Sequence, residues 1–161
     1  MTSTLFTTSG NRTAAGLALL RVVLGAVFMA HGAQKLFVFG LGGVAGAFTQ
    51  MGAPFPGVTG PLVALLEFFG GIALVLGLLT RLAALGLVID MLGAIAIVHL
   101  KAGFFAPRGV EFVLILATAA AALVIGGPGA LALDNLIARR VTAATGSPEL
   151  RRPEEVRGRA A

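Results

Sequence analysis

Residues 61–79 read PLVALLEFFGGIALVLGLL. A helix needs about 20 apolar residues to cross a bilayer, and this run is of that length. One ionisable residue, Glu67, stands inside it. A carboxylate at that depth is costly unless it is paired, protonated or wetted. Gly60, Ala64, Gly70 and Gly71 lie three, four or seven positions from Glu67. These positions share one side of a helix. Small residues there let helices approach closely in lipid. Glu67 is therefore expected to face other helices, not lipid.

The rest of the chain has the same character. Of 161 residues, 57% are hydrophobic and 12% charged, with mean hydropathy +0.97. A soluble domain is about a quarter charged. The chain reads as an integral membrane protein of the inner (plasma) membrane, with the lipid bilayer as its first partner. It has no cysteine, which excludes thiol catalysis and thiolate metal sites on its own residues. No metal site is expected. The net charge of +5 does not indicate a nucleic-acid partner, because half of the basic residues (Arg139, Arg140, Arg151, Arg152, Arg157 and Arg159) lie beyond the last apolar run. A basic tail beside a membrane helix fits anionic lipid and the positive-inside rule.

The expected fold is all-α, a four-transmembrane-helix bundle with helices over about 14–39, 58–79, 82–100 and 111–127. Residues 1–13 read as a flexible N-terminus. A cleaved signal peptide is disfavoured, since Arg21 interrupts the apolar core that such peptides keep. Val44, Ala47, Phe48 and Met51 recur at helical spacing in the first outer loop, which predicts a short interfacial helix there. Residues 134–144 predict an amphipathic C-terminal helix at the membrane surface, capped by Asp134. Residues 145–161 carry prolines and charges and read as a disordered basic tail. Four spans place both termini on one side, and the arginine bias puts that side in the cytoplasm.

Charges inside the spans fall at two depths. With 1.5 Å of rise per residue, His31 and Glu67 lie about 12–14 Å inside the outer helix ends. Arg21 and Asp90 lie about 10–12 Å inside the inner ends. The outer layer is read as a candidate polar pocket of Glu67, His31, Lys35, Gln34, Glu111, His99 and Lys101. Arg21 and Asp90 are read as a structural ion pair. His99 lies on the opposite side of its helix from Asp90, and joins the outer cluster only if that helix ends or bends there. An outer cluster of this kind can move protons or hold a polar head group such as a quinone carbonyl. Ion pairing between Glu67 and Lys35, fixing helix register, is the structural alternative. Haem held between His31 and His99 is disfavoured, because their depths differ by roughly 10 Å.

The segments LALLRVVLGAVFMAHGAQKLF, GAP, LLEFFGGIALVLGLLTRLAAL, IVHLKAGFF and GGPGALALD occur in that order between residues 17 and 134. The ordered set resembles the DoxX family of small four-helix membrane proteins. The resemblance implies an inner-membrane bundle. It also implies an association with terminal oxidases and with subunits of thiosulfate:quinone oxidoreductase, and in some relatives with soluble sulfurtransferase or superoxide-detoxifying partners. The expected function is thus a membrane subunit of a quinone-linked redox system, not a self-sufficient enzyme. Its expected partners are a soluble redox protein or further copies of the chain. A structural or assembly protein that recruits partners, and a small proton-coupled transporter, are the alternatives.

Overall fold

The computed structural model describes residues 10–145. The expected flexible N-terminus and basic tail lie largely outside those residues. Residues 10–13 are already helical. Six helices succeed one another: α1 (Gly10–Ala33), α2 (Gly40–Met51), α3 (Pro56–Leu76), α4 (Thr80–Ala94), α5 (Glu111–Gly126) and α6 (Leu133–Thr145). Two of them continue through wider π turns, α1 over Gln34–Phe39 and α4 over Ile95–His99. Helices α1, α3, α4 and α5 form the bundle, each packed against two of the others. Leu24, Phe28, Leu74, Leu87, Met91 and Leu123 are among the residues that fill its centre.

The tightest seam joins α1 to α3. It is built on glycine. A Cβ on Gly32 would come within 2.3 Å of the Phe68 backbone nitrogen, and one on Gly71 within 2.4 Å of the Met29 nitrogen. A Cβ on Gly25 would sit 2.7 Å from the Gly71 carbonyl oxygen. Backbone meets backbone over two helical turns, as small-residue packing in lipid allows. The contacts pair low numbers on α1 with high numbers on α3, so the two helices run antiparallel.

Arg21 locks the end of the bundle where α1 begins; this is the terminal end, and the opposite one is the loop end. Its side chain is 1% exposed. The guanidinium donates to the carbonyl oxygens of Leu74 (2.8 Å) and Val75 (3.2 Å) at the end of α3. It also donates to those of Ala130 (3.3 Å) and Leu131 (3.2 Å), beyond α5. The last carbonyls of a helix lack partners and carry its negative dipole end, so a cation is favoured there. The expected Arg21–Asp90 ion pair does not form; Arg21 neutralises backbone dipoles instead. Gly77, at φ 69°, leaves room for it. A Cβ there would sit 2.2 Å from the guanidinium.

Asp134 also departs from expectation. It lies inside α6, and its carboxylate accepts from the Leu79 nitrogen (2.7 Å) and the Thr80 nitrogen (2.9 Å). It therefore caps α4, not its own helix. The cause is the path of the chain after α5, which folds back over the α3–α4 turn. Two further bonds hold it there: the Asp134 nitrogen donates to the Gly77 oxygen, and the Ala130 nitrogen to the Ala14 oxygen, both at 2.8 Å.

The short helix expected in the first loop is present as α2, closed by Gly52 in the left-handed conformation. It packs on the first half of α3, with Gly60 against Val44 and Ala45. Helix α6 is amphipathic, with Leu136, Ile137 and Val141 apolar and Arg139 and Arg140 exposed. The expected four spans reduce to three by length and composition: Gly10–Met51, Pro56–Leu76 and Thr80–Ala102. Helix α5 is apolar but has 16 residues. That is about 24 Å of helix, against a hydrocarbon core of about 30 Å.

Gly32→Ala is expected to lower stability by about 2–3 kcal/mol through overpacking of the seam. Gly46→Ala, where a Cβ meets nothing within 4 Å, should leave stability unchanged or raise it slightly. Asp134→Ala should lose about 1 kcal/mol, the usual worth of a helix cap. Denaturant titration of the purified protein in detergent measures all three.

Candidate functional site

The seam ends in an ion pair. Positions 21, 25, 28, 32 and 35 lie on one stripe of α1 and its extension, and the stripe faces α3. Lys35 is its last member and donates to Glu67 Oε2. Glu67 is 3% exposed, whereas the Lys35 side chain keeps 24% of its surface in contact with the exterior. A buried carboxylate needs such a partner.

Asp90 stands on the other side of Glu67. Helices α3 and α4 form an antiparallel hairpin about the 77–79 turn. Glu67 lies ten residues before Gly77 and Asp90 ten after Thr80, so both are about 15 Å from the turn. Asp90 faces Glu67 across the α3–α4 hairpin. Its Oδ2 is buried without a hydrogen-bond partner.

These three side chains border a partly open cavity of about 390 Å³ between α2, α3 and α4. The remaining walls are mostly apolar: Phe48 and Met51 from α2, Leu62 and Leu66 from α3, Ile89, Met91 and Ile97 from α4. His99 also lines it, and its Nδ1 is 2.7 Å from the Arg108 carbonyl oxygen. Both π turns lie at this level, one carrying Lys35 and the other Ile97 and His99. A π turn is wider than an α turn and rotates the helical phase of the residues beyond it, and such turns are frequent at functional sites. The volume and the few convergent polar groups are those of a small-ligand pocket.

Residues 16–100, which include Lys35, Glu67, Asp90 and His99, match the DoxX family pattern. The chain belongs to the DoxX family. An uncharacterized membrane protein of Mycobacterium tuberculosis is 34% identical over 136 residues, spanning 77% of this chain and 82% of the relative. A Bacillus subtilis protein named "Putative oxidoreductase CatD" is 33% identical over 122 residues, 76% of this chain and 87% of its own. An uncharacterized protein of Haemophilus influenzae is 36% identical over 123 residues, 74% and 88% respectively. No solved structure matches the chain. Membership and the apolar spans make this a multi-pass protein of the bacterial inner membrane.

In this DoxX protein the expected outer cluster divides. Lys35 and Glu67 meet in the cavity, and His99 lines it because α4 widens at Ile95–His99. His31 and Gln34 are exposed and border a separate shallow depression. The His31 ring lies 6.3 Å from that of Phe112. Glu111 accepts from the Ala106 nitrogen at 2.7 Å and so closes the loop before α5. Lys101 is exposed and outside the cavity. The expected histidine face and the lysine face of α1 thus diverge. Lys35 parts from His31, four residues before it, because the extension of α1 turns to the wider π geometry at Gln34, a change that helical spacing in the sequence does not show. Asp90 is the cavity residue that depth alone misplaced. Counting from the shared turn, rather than from separate helix ends, levels it with Glu67.

Lys35→Met is expected to lower stability by about 2–3 kcal/mol, less than for a fully buried pair because Lys35 keeps solvent contact. The double substitution Lys35→Met/Glu67→Met should recover most of that loss, since no charge is left alone. His31→Ala should change stability by less than about 0.5 kcal/mol, as for other exposed sites. Unfolding in detergent provides the double-mutant cycle.

Proposed function

We propose that this DoxX protein is the membrane subunit of a quinone-linked redox system, and that the cavity between α2, α3 and α4 receives the quinone head. The observation that carries this reading is an apolar cavity of about 390 Å³ with its polar groups gathered as Lys35, Glu67 and Asp90. A quinone is an apolar ring and tail with carbonyl oxygens, and dissolves in the bilayer. Its ring would contact the α2 and α3 walls, and its carbonyl oxygens would meet the polar group. The oxidoreductase name of the Bacillus subtilis relative points the same way.

The chain's own residues offer binding and proton transfer, not electron storage. A soluble partner therefore carries the redox centre. Helix α5 acts as the fourth span, with the backbone on either side completing the crossing. Arg12, Arg81, Arg139 and Arg140 lie at the terminal end, and Lys35, Lys101 and Arg108 toward the loop end. With the arginines of the tail, that bias favours cytoplasmic termini. The cavity then lies in the outer half of the membrane.

Gly93 lines the cavity, and a Cβ there meets nothing within 4 Å. Gly93→Phe should fill the cavity without moving the helices. Titration of purified protein with ubiquinone or menaquinone is expected to saturate, and Gly93→Phe to weaken binding by about tenfold or more, or ~1.4 kcal/mol. Absence of saturable binding by the unsubstituted protein would rule the reading out.

A further inference from the structure

We infer that Asp90 stands in the cavity as a neutral acid, and that its carboxyl hydrogen is the donor for an acceptor oxygen of the bound head group. This fixes the ligand class as a neutral lipophile with a carbonyl acceptor, not a lipophilic cation. The ligand half of this inference rests on the quinone reading above; the protonation half does not.

The charges packed around Asp90 already balance without it. From the α1 extension, Lys35 supplies one positive charge; from α3, Glu67 supplies one negative charge, and the two are paired. Helix α2 carries no titratable side chain. Helix α5 has only Glu111, which is engaged with the Ala106 nitrogen. On α4 itself, Arg81 and His99 are each nine residues from Asp90, about 13 Å along the axis. Arg108 and Lys101 are exposed in the loop before α5. Among the described residues, no cation is therefore left to balance a second carboxylate beside Glu67. Two adjacent carboxylates do not both ionise in an apolar setting, and an unpaired buried charge is displaced by a proton.

Geometry assigns the proton to one of the two acids. Lys35 donates to Glu67 and forms an ion pair with it, whereas Asp90 has no cation of its own among the described residues. Asp90 lines the cavity, and its Oδ2 is closed to solvent and has no partner. A buried polar atom left unpaired costs stability, and costs more when it carries a charge. A protonated carboxyl offers one O–H donor, which a carbonyl oxygen can accept. An ionised Asp90 would offer only acceptors and would favour a cation.

Two measurements test this on the full chain in lipid nanodiscs. The first is infrared spectroscopy at neutral pH without ligand. A protonated-carboxyl stretch is expected, retained when Lys35→Met and Glu67→Gln are combined, so that no cation is left beside Asp90, and lost in Asp90→Asn. If the band is missing, or survives Asp90→Asn, the inference falls. The second is binding of a short-tailed ubiquinone and of tetraphenylphosphonium. Asp90→Asn should retain quinone affinity, because the amide still donates, whereas Asp90→Leu should lose about tenfold. Saturable tetraphenylphosphonium binding that depends on Asp90 would overturn the neutral acid. An Asp90 band with no quinone binding would instead overturn the quinone reading and leave the neutral acid standing.

Discussion

The backbone contact between α1 and α3 is the constraint on which the rest of this structure depends. Gly25, Gly32 and Gly71 remove the side chains that would hold the two helices apart. In lipid there is no hydrophobic force to drive helices together, so close van der Waals contact must do it. Once the seam is closed, its two ends are set. Arg21 reaches the last carbonyls of α3 at one end, and Lys35 reaches Glu67 at the other. A seam wider by one methyl group would separate both pairs.

The two ends then differ in purpose. At the terminal end, Arg21 and Asp134 satisfy backbone groups: carbonyls at the close of α3 and amides at the start of α4. Backbone dipoles exposed near lipid must find partners within the protein. Those two side chains supply them and tie the segment after α5 across the bundle. At the loop end the helices loosen. Both α1 and α4 open into π turns, and the space between α2, α3 and α4 stays unfilled. A rigid end and a widened end in one small bundle are what a ligand pocket requires, since the first holds the second in register.

Legibility in the sequence varied with the kind of interaction. Glu67 was recognisable as a bundle-facing acid from its small-residue flank, and Lys35 as a candidate partner from its depth. The small helix α2 and the amphipathic α6 showed in their spacing. Arg21 and Asp90 match in sign and depth, but depth along the membrane normal says nothing about which side of a bundle a residue occupies. Backbone carbonyls also carry no sequence signal, so a guanidinium bound to them looks like one half of an ion pair. Asp134 misled for a related reason. An acid just before a helical stretch reads as that helix's cap, and nothing local shows that another helix start lies within reach.

By itself the sequence determined a multi-pass DoxX-family membrane protein, all-α, with an acid buried among small residues. Those properties are set by composition and helical period, which are local. Only the tertiary structure decided which charges meet. It divided Lys35 and Glu67 from His31 and Gln34, brought Asp90 to the cavity and gave Arg21 and Asp134 to the backbone. Partner choice depends on helix rotation and on the level at which antiparallel helices align. Both are fixed by where glycine lets backbones touch and where π turns shift the phase.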